Sequence, residues 1–490
     1  MTEVAGDGIY RELKRKLTRF ASEDNGHVQN FLRSNVSQKY KKRMKTNDNI
    51  AALFEQRKHQ PQWNTSYPLR PDHWARYRWG GDELSFDGKQ SFDGEQPFVG
   101  KQVLPFDGEQ ELSMYVHVPF CKRLCSFCEY TRMVLPDEAT QTHYVEVLRS
   151  DIRRFRGQMG TFRLAGFDIG GGTPMALSDH AFGLLLDVYD EAVDGLLLAA
   201  DYEPSIEGTF ASVSRQKLER AAASGVRRLS LGLQTTSGDV LCRQNRAVES
   251  VASMARVLDM AAACGMSKVN VDLMYGLPGQ TQASIAADIS ILGTLRPQQV
   301  TLYELRTNMI ACKVLPSKDV LYAQYAQLFE ALTAMGYHAR FGQNTFSLSP
   351  VDGGVSSYLR SRMLHGTSYR GFGVSAQSMS RRGVAYNVGK SASADSLKKI
   401  LPGNSYAEQD VYLLPPAEWV SKYVSIAAYN GAFSLRRIEE AVGKEAMRPY
   451  LDVLRFCLAE NLMTVDNANN WVCITPHGFK HYGAVFSLFT

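Results

Sequence analysis

Six short apolar stretches, each followed by an amphipathic one, fill the chain from Leu112 to Leu305, and this alternation limits the fold more than any other feature. The expected strands are LSMYVHV (112–118), LAGFDIG (164–170), ADYEPSIEG (200–208), RRLSLGLQ (227–234), KVNVDLMYG (268–276) and QVTLYEL (299–305). Between them THYVEVLRSDIRRFR, RQKLERAAASG and VASMARVLDMAAACG carry apolar residues at helical spacing, and the last two close on Gly as helix stops do. Repeats of this kind build an α/β fold with a parallel sheet and right-handed crossovers. With 490 residues the chain is too long for one ordinary core and predicts two or three domains.

The first strand runs into YVHVPFCKRLCSFCEY, residues 115–130, which sets Cys121, Cys125 and Cys128 in a CxxxCxxC spacing on one short loop. Three of the chain's eight cysteines thus fall within eight residues, among Lys122, Arg123 and Ser126, which do not suit an apolar core. Ligation is favoured over three core thiols. A structural zinc closes four protein ligands around itself, whereas a [4Fe–4S] cluster held by three Cys leaves one iron open. Zinc would need a distant fourth ligand such as Cys242 or Cys264, and neither lies in ligand spacing. Cys242, Cys264, Cys312, Cys457 and Cys473 are scattered without a disulfide framework, as in a reducing compartment.

Each later strand end adds a polar or glycine feature. Gly170, Gly171, Gly172, Thr173 and Pro174 follow the second strand, a turn that lets backbone amides approach a ligand. Glu207 ends the third strand, where a buried carboxylate needs a partner. Gln234 ends the fourth, Arg246 follows in LCRQNRA, and Asp272 lies in VNVDLMYGLPGQT. Helix caps and turns explain any one of these and explain the set poorly.

The cysteine spacing with YVHVPFC before it, and the DLMYGLPGQT segment, resemble the radical S-adenosylmethionine (SAM) superfamily, in particular the branch that contains oxygen-independent coproporphyrinogen III oxidase. The likeness runs from Tyr115 to the C-terminus. It implies an open (β/α)6 partial TIM barrel with its site at the C-terminal strand ends, and a small α+β winged-helix-like C-terminal domain that acts as a lid. It also implies a [4Fe–4S] cluster on Cys121, Cys125 and Cys128, and SAM chelated to the open iron and cleaved by one electron to methionine and a 5′-deoxyadenosyl radical. Carried over by position, Tyr115, Gly171 and Glu207 hold the cluster-bound SAM. Phe127, Gly172, Thr173, Gln234, Arg246 and Asp272 line a second SAM, making two per chain, and Arg306 matches a further second-SAM position. Gln377, in the GVSAQS loop, touches SAM. Tyr115, His117, Tyr130 and Gln377 are the candidate catalytic residues; for His117 and Tyr130 the plainer alternative is that they orient the cluster loop.

The expected organisation is a basic helical extension over 1–62, an aromatic and Arg-rich segment with an inserted repeat over 63–110, the partial barrel over 111–310, a closing helix, strand and Gly-rich loop over 311–405, and the lid over 406–490. The TSYP segment, Thr65 to Pro68, resembles one that lies beside the site in this branch. Arg70, Arg76 and Arg78 after it suit substrate carboxylates or a plain surface equally. FDGKQ, FDGEQ, FVGKQ and FDGEQ, beginning at Phe86, Phe92, Phe98 and Phe106, form a degenerate repeat too short for a solenoid and read as a loop insert. The winged-helix-like end alone suggests DNA binding, but no basic stripe accompanies it and the net charge of +5 is small for this length. With neither a leader nor a run long enough to span a bilayer, the expectation is a cytoplasmic monomer that binds neither nucleic acid nor membrane.

Three functions fit the resemblance. Coproporphyrinogen oxidases of this branch have CxxxCxxCxC, and here the last position is Tyr130. A haem chaperone of the branch generally lacks so long a leader, and no axial-ligand motif is evident. The preferred expectation is a radical SAM C-methyltransferase or cyclopropanase of natural-product biosynthesis. In that reaction a methylene radical from the second SAM adds to an sp² carbon of a small-molecule aromatic or polyene substrate. A flavodoxin or ferredoxin is the expected electron donor, and a partner methyltransferase the expected aid to ring closure.

Overall fold

A computed structural model describes residues 40–58, 74–77, 106, 108–306, 316–390, 392–407, 409–466 and 470–490. The TSYP segment, nearly all of the repeat insert, Arg70, Arg78 and Cys312 lie outside the described residues, and of Arg76 only the backbone is described. In chain order the strands are β1 (Trp74–Tyr77), β2 (Glu111–Val118), β3 (Phe120–Cys121), β4 (Met133–Val134), β5 (Arg163–Gly171), β6 (Leu197–Leu198), β7 (Ser205–Gly208), β8 (Arg228–Gln234), β9 (Lys268–Tyr275), β10 (Gln299–Glu304), β11 (Thr345–Ser347), β12 (Tyr369–Phe372), β13 (Gln377–Met379), β14 (Gly383–Asn387) and β15 (Gln409–Leu413).

The six expected strands are β2, β5, β7, β8, β9 and β10, side by side and parallel. β11 closes one edge antiparallel to β10. The other edge continues from β2 to a parallel β12 and then through antiparallel β13, β14, β15 and β1, so the sheet stays open. The third strand is shorter than expected, Ser205–Gly208 instead of 200–208. Tyr202 turns back to donate its amide to the Ala199 carbonyl, and Pro204 has no amide to give a ladder.

Helices α2 (Glu138–Met159), α3 (Asp179–Val193), α4 (Arg215–Ala223), α6 (Val251–Ala263), α7 (Gln282–Leu295) and α8 (Lys318–Ala334) cover the outer face; a short α5 (Gly238–Arg243) follows β8, and α1 (Tyr40–Arg57) precedes them all. Asp137, Ser178, Ser214, Ser250, Thr281 and Ser317 cap the six covering helices through their side-chain oxygens. Gly225 and Gly265, at φ +84° and +89°, stop α4 and α6 in the left-handed conformation that a C-terminal glycine allows.

What positions the site is the alternation within the strands. Leu229, Leu231, Leu233, Val269, Val271, Leu273, Val300 and Leu302 point outward and are buried under the helices. The opposite face of the same strands is polar. Arg228 donates from Nε to Gln299 (2.7 Å) and from Nη1 to Ser205 Oγ (3.0 Å). Gln299 in turn donates to Asp352 (2.7 Å), and Lys268 pairs with Glu203 (2.9 Å) and Asp352 (3.3 Å). Asn270 donates to Ser230 (2.9 Å) and accepts from Thr301 (2.9 Å). These bonds floor the concave face with partnered polar groups.

Beyond β11 lie a short helix α9 (Ser357–Arg360), a single π-helical turn (Ser361–His365), α10 (Ala394–Ile400) and α11 (Pro416–Ala427). Gly166 lets the chain at α9 come close: a Cβ there would sit 2.2 Å from the Tyr358 amide nitrogen. The C-terminal region adds a three-stranded antiparallel sheet, β16 (Ala432–Ser434), β18 (Trp471–Ile474) and β17 (Met463–Asp466) in spatial order. Thr475 caps a short helix, Pro476–Phe479, whose first-turn proline has no amide to satisfy. α1 packs on this region, with Phe54 edge-on to Phe456 and His481.

Candidate active site

The cysteine loop leaves β2 at its C-terminal end and returns through β4, which pairs with β3 so that Cys121 stands opposite Val134. Cys121 and Cys125 are buried and Cys128 partly so. The loop is held by groups outside the motif. Arg132 donates to the Cys125 carbonyl (2.6 Å) and the Tyr130 carbonyl (3.2 Å), and Ser126 is bonded through its amide and hydroxyl to Gln244 (3.2 and 2.7 Å). Thr173 Oγ1 and Arg246 Nη1 each approach a thiol, Cys121 and Cys125 respectively, at 3.6 Å. Burial pushes the Cys128 thiol up to about 11 and raises Cys121, against the pull of Arg132 on both and of Arg246 on Cys121. A bound cation would reverse that shift, because thiolate is the ligating form. Among the described residues no three His, Cys, Asp or Glu side chains gather around one point as a single ion requires. Three thiols spread along a loop fit a multi-iron cluster, whose cysteines ligate different irons, better than zinc.

Facing this loop across the mouth of the barrel are the strand-end residues. Glu207 accepts the Gly171 amide (3.1 Å), and burial, with Asp272 nearby, raises its carboxyl to about 7. Gly171 sits at φ +115°, and a Cβ there would lie 2.6 Å from His117 Nδ1, so glycine is required on both counts. Two expected amide donors are used inside the protein: Gly172 N–H bonds the Val118 carbonyl and Thr173 N–H the Phe120 carbonyl, both at 2.8 Å. Their part here is to lock the glycine turn onto the cysteine loop. Asp272 accepts from Asn270 (2.7 Å) and Ser230 (3.3 Å), and burial raises it to about 6 although Arg228 opposes the shift. Gln234 follows a break in register opposite Asp272 and Leu273 and has φ +74°, rare for a residue with a side chain. Arg246 reaches back to the Gly232 carbonyl, and Phe127 and Tyr303 pack against the cluster of Val240, Met274, Leu277 and Leu305.

Tyr115 stacks on Tyr358 (5.5 Å, 22°), and its hydroxyl lies 3.4 Å from His117 Nδ1. His117 is bonded through Nε2 to the Thr131 carbonyl at 3.0 Å, which ties β2 to the far end of the cysteine loop. Burial keeps its imidazole below the usual range, hence neutral. Tyr130 is 58% exposed at the mouth. Burial of its hydroxyl nonetheless raises its pKa, and Arg306, Glu129, Glu207 and Cys128 are the charged and ionisable groups it senses. Arg306 pairs with Glu129 beside Tyr130 and lies over the Tyr429 ring at 5.0 Å. Gln377 is in strand β13 rather than a free loop, held by Arg362 (3.1 Å), Tyr369 and Tyr386.

Four site neighbours were not foreseen. Tyr303, on β10, faces Asp272, Tyr130 and Glu207. Asp168, on β5 opposite Tyr115, accepts from Ser356 (2.6 Å), leaves its other oxygen without a partner and is raised by burial to about 7. Arg132 and Glu129 complete the set. Period-two counting back from Gly170 would have found Asp168, and counting forward from Gln299 through Thr301 would have found Tyr303.

Residues 115–291 match the Radical SAM superfamily. The chain is 28% identical over 235 residues to heme chaperone HemW of Haemophilus influenzae, covering 46% of this chain and 60% of that protein. It is 29% identical over 315 residues to anaerobic coproporphyrinogen III oxidase 1 of Cereibacter sphaeroides, covering 60% and 67%. The solved structure of coproporphyrinogen III oxidase (HemN) from Escherichia coli superposes with a TM-score of 0.63 at 24% identity, over 78% of this chain and 90% of that one, and has the same fold. The chain thus spans about three fifths of the length of the haem chaperone it matches.

Proposed function

We propose, from the premise that this chain is a radical SAM protein of the coproporphyrinogen oxidase and haem chaperone branch, that it cleaves SAM reductively and turns the resulting radical on a tetrapyrrole held at the barrel mouth. The carrying observation is one loop of three thiols facing Glu207 and Gly171 across the open strand ends. The named relatives are oxidases and chaperones, which reverses the order in which sequence reading ranked tetrapyrrole chemistry and C-methylation. Methylene transfer stays as the second reading on one observation: a phenol, Tyr130, stands where the oxidases of this branch carry a further cysteine.

When bound, a [4Fe–4S] cluster and SAM supply a 5′-deoxyadenosyl radical. The chain's own residues do the rest. Cys121, Cys125 and Cys128 hold the cluster, while Arg132 and His117 keep their loop in place. Tyr115, Gly171 and Glu207 orient SAM, and Glu207 takes up its ammonium as a carboxylate once that cation offsets its burial. Gln234, Arg246 and Asp272 offer a second polar subsite next to the apolar wall of Phe127. Tyr130 keeps its proton at neutral pH and presents a donor to whatever enters.

The test is an anaerobic incubation of the reduced, reconstituted protein with coproporphyrinogen III and methyl-deuterated SAM. Vinyl products with unlabelled deoxyadenosine support oxidation. Deuterium in deoxyadenosine during turnover of an added sp² acceptor supports methylene transfer instead. Stoichiometric haem uptake and release with no SAM cleavage under any condition makes the chain a chaperone and overturns the proposal, as does the absence of both.

A further inference from the structure

An open barrel leaves a gap between its first and last strands, and here α11 and the turn after it bridge that gap. The Tyr423 hydroxyl donates to the Leu364 carbonyl of the π-helical turn (3.0 Å), on the β12 side of β2. The Tyr429 carbonyl accepts from the Asn344 amide (3.0 Å), next to β11 on the opposite edge. One polar residue of α11, Lys422, is fully buried in this seam. Among the described residues, the charged groups that bear on it most are all cations: Arg362 from the π-helical turn, Lys390 after β14 and Arg306 at the end of β10. Burial, and then these three charges, hold its amine well below the ordinary lysine range. Arg362 is packed among phenols instead of carboxylates. It lies over the Tyr369 ring at 4.7 Å, donates to Gln377 (3.1 Å) and has Tyr358 and Tyr386 as further neighbours, while its Nε is buried with no hydrogen-bond partner. Acids reach only the outer members of the group: Glu129 pairs with Arg306, and Asp410 acts on the exposed Lys390, whose ammonium stands 4.1 Å from the centre of the Tyr386 ring. Tyr358 also stacks on Tyr115, so the seam opens beside the residues assigned to SAM.

Cations gathered out of water lose hydration and repel one another, and an incoming anion offsets both. A carboxylate suits this group best, because its two oxygens match the guanidinium fork of Arg362 and leave room for an ammonium and a phenol to donate as well. Burial keeps Tyr358 and Tyr369 protonated and therefore able to donate. We propose that Arg362 and Lys422, with Lys390 at the rim, form a subsite for a peripheral carboxylate of the tetrapyrrole, which fixes the orientation of the ring over the barrel mouth. The proposal rests on the tetrapyrrole reading of the site. SAM carries a carboxylate too, so the binding of each is measured separately.

The anaerobically reconstituted full chain is titrated with coproporphyrin III, a tetracarboxylate read by its own fluorescence, and with its uncharged tetramethyl ester. Lys422→Met and Arg362→Met should each raise the Kd of the tetracarboxylate about tenfold, the loss expected for one charge-assisted hydrogen bond, and leave that of the ester unchanged. Lys390→Met, at an exposed position, should raise it about threefold and keeps the test valid if a buried substitution unfolds the chain. The Kd for SAM, from equilibrium dialysis, should stay the same in all three. An unchanged tetracarboxylate Kd in every variant that folds, or an equal loss for the ester, overturns the subsite. A matching loss of SAM binding also overturns it, by giving these cations to the SAM carboxylate. Wild type that binds tetracarboxylate and ester equally removes the subsite and leaves the tetrapyrrole reading standing; wild type that binds neither removes both.

Discussion

The two ends of the barrel lumen are built from the same strands and are equally polar, yet they are finished differently. At the floor, Arg228, Gln299, Asp352, Lys268 and Glu203 form a chain of donors matched to acceptors. At the mouth, Arg228 opposes the burial of both Glu207 and Asp272, and Arg246 that of Asp272, yet both carboxyls are pushed well above their ordinary range. Ion pairs hold the floor together, whereas carboxyls pushed up by burial at the mouth would be recharged by a cationic ligand. The contrast locates the site without reference to any relative.

The contrast breaks most completely at the cysteines. Cys125→Ala should take iron in the reconstituted protein from about four per chain to near zero; iron analysis that finds no change would remove the mouth as a cofactor site. Next, Arg228→Met should cost about 3 kcal/mol, since it strands Gln299 and Ser205 in a buried network, with a lower urea midpoint and an unchanged slope. Asp272→Asn should cost less than about 1 kcal/mol in the same assay; equal losses would erase the distinction between floor and mouth. Glu207→Gln should go the other way. A carboxyl at about 7 in the folded apoprotein and near its ordinary 4.5 when unfolded binds more protons folded than unfolded, so its contribution falls as pH rises through that window. The variant should therefore exceed wild type by about 3 kcal/mol at pH 8 and match it below pH 4.5, read from melting curves across pH. The smallest effect belongs to Tyr130→Phe, with stability within about 0.5 kcal/mol and iron unchanged because the ring is exposed. Its turnover of substrate should fall while SAM binding holds, and a parallel loss of both would make Tyr130 part of the loop's scaffold.

Much of this was legible in the sequence because the strands announce themselves twice. Apolar outward positions such as Val269, Val271 and Leu273 set the strand boundaries, and Ser, Thr or Asp before the covering helices set the starts. The third strand was overextended because Tyr202 and Glu203 have strand-like composition, and only Pro204 betrays the interruption. The thiols and Glu207 lie at strand ends, where local pattern and position coincide. Asp168 and Arg132 were missed because their roles depend on partners 188 and 7 residues away, Ser356 and the Cys125 carbonyl. The extra strands β12 to β15 are short, and the parallel pairing of β12 to β2 that joins them to the sheet is a long-range event that no window of sequence contains.

Gln234 carries its own consequence. A side chain held at φ +74° costs about 1 kcal/mol that glycine would not incur. Mutational drift under selection for foldedness alone would tend toward glycine here, because the swap removes strain in one step. Any part the Gln234 side chain plays is therefore set against a folding cost that glycine would not carry.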